Sequence, residues 1–121
     1  MGDSFLEPDV PLGYDLAVLQ FTMSVWRSRN FPDTKTAMHQ TLGVAEECGE
    51  LCHSVLKAEQ GIRGDEQQHQ NDAADAVGDI IIYLTGVCDA LNIDMAQAVH
   101  DAAYMVLQRD WVKYPGNGMT E

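Results

Sequence analysis

The stretch Gly43–Gln60, GVAEECGELCHSVLKAEQ, decides how the rest of this chain is read. At about 100° per residue it is a strongly amphipathic helix. Val44, Ala45, Cys48, Leu51, Cys52, Val55 and Leu56 fall on one side, and Glu46, Glu47, Glu50, His53 and Lys57 on the other. The glutamates share roughly 100° of arc. Like charges at i,i+4 cost a helix a few tenths of a kcal/mol. Solvent, cationic partners or a divalent metal can offset that repulsion.

A second stretch bears on the choice. In Asn71–Leu91, NDAADAVGDIIIYLTGVCDAL, Asp72, Asp75 and Asp79 lie along one stripe at i, i+3 and i+7. From Ile80 onward the pattern is apolar nearly all round, which predicts a buried helix. Asp79 stands where the acidic stripe runs into that segment. A lone carboxylate there is costly to desolvate unless it is paired or metal-bound. Two helices with facing carboxylates make a cage of hard oxygen ligands. Such a cage suits Mg²⁺ or Mn²⁺, which usually act together with substrate phosphates.

These motifs resemble those of the MazG-like all-α nucleoside triphosphate pyrophosphohydrolases. Their signature is Glu-Glu-x-x-Glu on one helix and Glu-x-x-Asp on the next. GVAEECGEL and DAVGDIIIYL match it over roughly Leu42 to Met95. The first motif matches in full. The second departs at position 76, where Ala76 stands in place of the glutamate. The family often carries a lysine and an asparagine ahead of an arginine in its last helix. Here Arg109 is present, while Ala102 and Val106 occupy the other two places. The resemblance implies an oligomeric all-α enzyme that converts a deoxy- or non-standard nucleoside triphosphate to the monophosphate and pyrophosphate. Glu47, Glu50 and Asp79 would hold the metal, and Glu46 would hold a second metal or act as base. Asp75 lies roughly 40° to one side of Asp79 and one turn back, so it is the candidate replacement for the missing glutamate. Asp72, a further turn away, is a poorer ligand.

At 121 residues the chain is one domain with room for a single modest core. The 45% hydrophobic content is globular, and no apolar run approaches the ~18 residues of a membrane span. The opening MGDSFLEPDV has neither the basic nor the apolar region of a secretory signal. Cys48, Cys52 and Cys88 sit at positions expected to face apolar surfaces. That pattern points to a reducing cytoplasm rather than a disulfide scaffold. A net charge of −12 argues against binding polymeric nucleic acid, which needs a basic surface. For an enzyme of polyanionic triphosphates it requires metal ions to reverse the local field.

In chain order, residues 1–13 read as an irregular arm, 14–114 as the helical domain and 115–121 as a flexible tail. Tyr14–Asn30 forms the first helix, with Leu16, Leu19, Met23 and Trp26 in its core stripe and Phe21 and Val25 widening it. Trp26 and Phe31 are candidates to stack on a base. Pro32 ends that helix. Thr34 or Thr36 caps the second, which runs to about Glu59, and Gly43 marks a kink or a close approach. Gly61–Gln70 reads as a polar loop, within which Arg63 is a mobile cation able to close over phosphates. Asn92 suits the end of the third helix. Asp94 caps the fourth, Met95 to about Val112, which packs through Val99, Ala102, Ala103, Val106 and Leu107. Lys57, Arg63 and Arg109 are the candidate phosphate partners.

Glu50-x-x-His53 and Glu66-x-x-His69 have di-iron spacing, but the reading of Glu66 and His69 as loop residues sets that site aside. Cys48, Cys52 and His53 point in different directions and do not make one zinc site. The expectation is therefore an all-α, four-helix bundle-like chain with the second and third helices antiparallel and their acidic stripes facing. The third helix is too apolar for a monomer to cover, which predicts a homodimer or homotetramer. A non-catalytic helical regulatory dimer and a phosphoribosyl-ATP pyrophosphohydrolase are the rival readings.

Overall fold

The computed structural model describes residues 15–120, so the expected arm over 1–13 lies outside the described residues. It consists of four helices, α1 (Leu16–Asn30), α2 (Ala37–Gln60), α3 (Glu66–Ala90) and α4 (Met95–Leu107). The all-α expectation holds among these residues.

Each helix begins at a short polar residue whose side chain takes an otherwise unpaired backbone N–H. Asp15 accepts from Ala17 N at 2.8 Å, Thr36 from His39 N at 3.2 Å, Asp65 from Gln68 N at 2.8 Å and Asp94 from Gln97 N at 3.1 Å. The ends are equally local. Gly61 (φ 68°) follows α2 and Asn92 (φ 57°) follows α3, both left-handed. The next amides then reach back five residues, Ile62 N to Lys57 O at 3.2 Å and Ile93 N to Cys88 O at 2.7 Å.

Two boundaries differ from the sequence reading. α3 starts at Glu66 rather than near Asn71, because Asp65 caps it and the polar run Glu66–Gln70 is helix, not loop. Composition alone misled there: glutamate and glutamine are good helix formers. α4 stops at Leu107 rather than Val112. Asp110 is the reason. Its Oδ1 accepts from Val112 N and Lys113 N at 3.0 and 2.9 Å, a local turn that competes with the helix. In place of a loose tail over 115–120, Asp110 N donates to Gly118 O and Gly118 N to Tyr114 O, each at 2.7 Å.

The five-residue turn 61–65 folds α3 back along α2, and this pair is the main packing of the chain. α1 lies on α3, and α4 is held against α1. A Cβ at Gly43 would overlap the Tyr83 ring, and one at Gly86 would overlap the Gln40 amide. The expected close approach at Gly43 is real, and Gly86 makes a second.

The core is small and unusually polar. Leu19, Ala76 and Met95 are the buried apolar side chains, alongside Arg27, Gln40, Glu47, Ser54, His69 and Thr85. α1 is anchored by hydrogen bonds more than by hydrocarbon. Arg27 donates to Asp89 Oδ2 at 3.2 Å, Ile82 O at 3.1 Å and Thr85 Oγ1 at 2.8 Å. Gln20 spans the α3–α4 turn, donating to Asp89 Oδ1 and Ile93 O and accepting from Met95 N. Several expected core residues therefore face outward. Phe21, Val25 and Trp26 are exposed on α1, as are Val99, Val106 and Leu107 on α4. Ala102, Ala103, Cys48 and Cys52 are exposed too, and Cys88 and the run Ile80–Leu84 are only half-buried. Among the described residues no further layer covers these faces.

Arg27→Ala removes the three hydrogen bonds of a buried guanidinium and takes the ion-pair partner from Asp89, which keeps its bond from Gln20. Urea unfolding should read a loss of about 3 kcal/mol. A loss below about 1 kcal/mol would mean that α1 is held by something other than this anchor.

Candidate functional site

The acidic cluster expected on α2 forms, and its three members are not equivalent. Glu46, Glu47 and Glu50 each place one carboxylate oxygen so that the oxygens lie within 4.8 Å of one another. Glu46 and Glu50 are exposed, whereas Glu47 is buried at 8% exposure. The helix dictates this. Gln40, Glu47 and Ser54 recur at i, i+7 and i+14, the stripe of α2 that faces α3. Glu47 Oε2 is shielded from solvent and has no hydrogen-bond partner among the described residues.

Burial pushes the Glu47 carboxyl above its ordinary value of 4.5, followed by a hydrogen bond with Glu50 and the negative charges of Glu50, Asp79 and Glu46. Asp79 thus acts across the gap from α3. It is exposed rather than desolvated as expected. Asp75 and Asp72 are exposed as well, and neither is among the charges acting on Glu47. Ala76, at the departure from the family signature, is 3% exposed.

Asp79 also lines a cleft of about 510 Å³ together with Trp26, Phe31, His39, Ile82 and Tyr83. Both aromatics proposed to stack on a base are there, 5.6 Å apart at 59°. Arg27 and Gln40 complete the floor. Gln40 Nε2 donates to Thr34 O at 2.8 Å, while its Oε1 lies against Gly86. Periodicity did not single out Arg27, Gln40, His39 or Tyr83. The one available signal was the pair of glycines, since Gly43 and Gly86 admit Tyr83 and Gln40.

The expected phosphate partners are not brought to the cluster. Lys57 Nζ donates to Gln60 Oε1 at 2.9 Å. Arg63 sits in the α2–α3 turn, beyond the end of α2, which lies about 15 Å along the axis from Glu50. Arg109 rests over the Trp111 ring at 5.9 Å. Among the described residues the ion pairs are Arg27–Asp89 and His100–Asp101, so no glutamate of the cluster is neutralised by a cation of its own chain. The sequence sets the di-iron alternative aside on a loop placement of Glu66 and His69. Both are helical, but the His69 ring is used internally, 2.9 Å from Ile62 O. Among the described residues Cys48, Cys52 and His53 do not come together as a metal-binding group, and both cysteines are exposed. No helix among the described residues is by itself long and apolar enough to cross a membrane.

No known family model matches this sequence, and no curated protein sequence matches it significantly.

A raised carboxyl pKa destabilises the ionised fold. The stabilising share of Glu47 is fully present below about pH 4.5 and is lost as pH rises through its higher folded value. Without divalent metal, the melting temperature should therefore fall as pH rises above about 4.5. Glu47→Gln should flatten that slope and raise the melting temperature at neutral pH. Identical pH profiles for the two proteins would mean that Glu47 is not strained.

Proposed function

We propose that the chain is a Mg²⁺-dependent (or Mn²⁺-dependent) pyrophosphohydrolase of a deoxy- or non-standard nucleoside triphosphate, yielding the monophosphate and pyrophosphate. One observation carries the reading. The buried Glu47 carboxylate, unpaired at Oε2, sits among Glu46, Glu50 and Asp79 beside an aromatic-walled cleft. An uncompensated buried carboxylate is costly, and a divalent cation removes that cost. The donors are all hard oxygens, which suits Mg²⁺ or Mn²⁺ and not a softer metal.

Glu47, Glu50 and Asp79 are the residues that would hold such an ion, with Asp75 as an outer candidate. The ion would supply charge neutralisation for the phosphates and lower the pKa of a bound water. Glu46, an exposed member of the cluster, would take the proton of an attacking water. Trp26 and Phe31 offer the base a stacking surface. Lys57, Arg63 and Arg109 remain phosphate candidates only through movement or a second copy of the chain. That second copy, in a homodimer or homotetramer, belongs to this proposal.

The rival is a non-catalytic helical partner protein with the same acidic face. Ala76 is the observation that favours it, since that position of the helix is buried and carries no carboxylate. A nucleotide panel with Mg²⁺, phosphoribosyl-ATP included, separates the readings when scored for pyrophosphate against orthophosphate. Pyrophosphate release from a nucleoside triphosphate is expected, with ¹⁸O from labelled water appearing in the monophosphate. Label in free orthophosphate, or no turnover on any member, would overturn the proposal.

The residue expected to replace the missing glutamate has its own test. Asp75→Asn should lower turnover about a hundredfold if it joins the electrostatic site, and Asp72→Asn about tenfold or less. Full activity in Asp75→Asn with slightly lower stability would confine Asp75 to the helix macrodipole.

A further inference from the structure

His39 stands in the first turn of α2 and lines the aromatic-walled cleft with Trp26, Phe31 and Asp79. Its ring is held by the residue that caps the helix. The Thr36 hydroxyl oxygen accepts the His39 backbone N–H at 3.2 Å and lies 2.8 Å from His39 Nδ1. In a capping box the side chain at this position is a glutamate or glutamine that reaches back to the cap's own amide. Here an imidazole meets the cap hydroxyl instead. One proton then decides the tautomer. The hydroxyl oxygen already accepts the amide proton, and its own proton has no other acceptor among the described residues. Donated to Nδ1, that proton makes Nδ1 the acceptor and leaves the ring proton on Nε2. Nε2 is on the far side of the imidazole from Thr36, so the ring turns a hydrogen-bond donor away from the cap.

Spacing says which part of a nucleotide this donor meets. His39, Glu46 and Glu50 recur at i, i+7 and i+11, within about 20° of one line along α2. The ring thus shares a side of the helix with the carboxylates, about 10 Å nearer the N-terminus than Glu46. Phosphates held at the cluster lie at one end of that line. His39 belongs to the other end, with the two aromatics. We propose, on the strength of the nucleotide reading above, that His39 Nε2–H selects the base and that Thr36 is the positioning residue that fixes its tautomer. A donor there pairs with O6 of guanine or O4 of uracil or thymine. Facing N6 of adenine or N4 of cytosine it meets a second donor and stays unpaired. The substrate class is therefore a nucleotide with a keto group on that edge of its base.

The test reads binding separately from turnover. The probes are the α,β-imido triphosphates of deoxyguanosine, deoxyadenosine, thymidine and deoxycytidine, each with Mg²⁺ and the full chain. Guanine should bind about tenfold tighter than adenine, and thymine about tenfold tighter than cytosine. His39→Phe keeps a ring without a donor and should bring both ratios close to one. Thr36→Val should lower both ratios and Thr36→Ser restore them, whereas mere loss of a helix cap would weaken all four analogues alike. Nitrogen NMR of the imidazoles should find His39 protonated on Nε2 and not on Nδ1 in the wild type. Failure of all four analogues to bind would sink the nucleotide reading and this proposal with it. Binding without a keto preference, a preference that survives His39→Phe, or a proton on Nδ1 would overturn this proposal alone.

Discussion

The close approach of α2 and α3 is the constraint on which the rest depends. Two glycines make it possible, Gly43 under the Tyr83 ring and Gly86 under the Gln40 amide. Once the axes are that close, the facing stripe of α2 is fixed as Gln40, Glu47 and Ser54. A carboxylate is thereby drawn into a place where hydrocarbon would be expected. The same approach puts Asp79 within electrostatic range of Glu47 and sets Tyr83 and Gln40 into the cleft shared with α1. Architecture and candidate chemistry thus share one cause.

Charge is distributed in the same uneven way. The chain has seven basic residues against nineteen acidic ones, yet the most buried cation, Arg27, is spent on holding α1 to α3. Its guanidinium is pushed down by burial and back up by Asp89, and its other donors are taken by Ile82 O and Thr85 Oγ1. Among the described residues no glutamate of the acidic cluster forms an ion pair. Of the three ways to relieve its repulsion, the internal ion pair is therefore ruled out among the described residues. Solvent reaches Glu46 and Glu50 but not Glu47 Oε2. That asymmetry sets Glu47 apart from Glu46 and Glu50.

Much of the fold was legible because helix ends are local. Thr36, Asp94 and Asn92 do their work through hydrogen bonds within a few residues, so reading them needs no tertiary knowledge. The failures have equally definite reasons. Glu66–Gln70 reads as loop from its polarity, yet Asp65 caps it as the first turns of α3. α4 was drawn too long because Asp110 diverts the chain into turns. Phe21, Val25, Val99 and Val106 were assigned to the core because periodicity marks an apolar face without saying what covers it. Arg27 and Gln20 escaped notice because an anchoring role depends on backbone carbonyls and carboxylates brought from some 55 to 75 residues away.

By itself the sequence determined four helices, most of their ends, the acidic i, i+1, i+4 cluster and a net charge of −12. These follow from spacing, capping and composition, which act over one or two helical turns. Only the tertiary structure decided which glutamate is buried, that Trp26 and Phe31 share a cleft with Asp79, and that Lys57, Arg63 and Arg109 stand apart from the cluster. A helical wheel gives the angle between side chains but not the direction of the neighbouring helix. That direction is set where two glycines let the backbones meet, and it is what makes Glu47 different from Glu46 and Glu50.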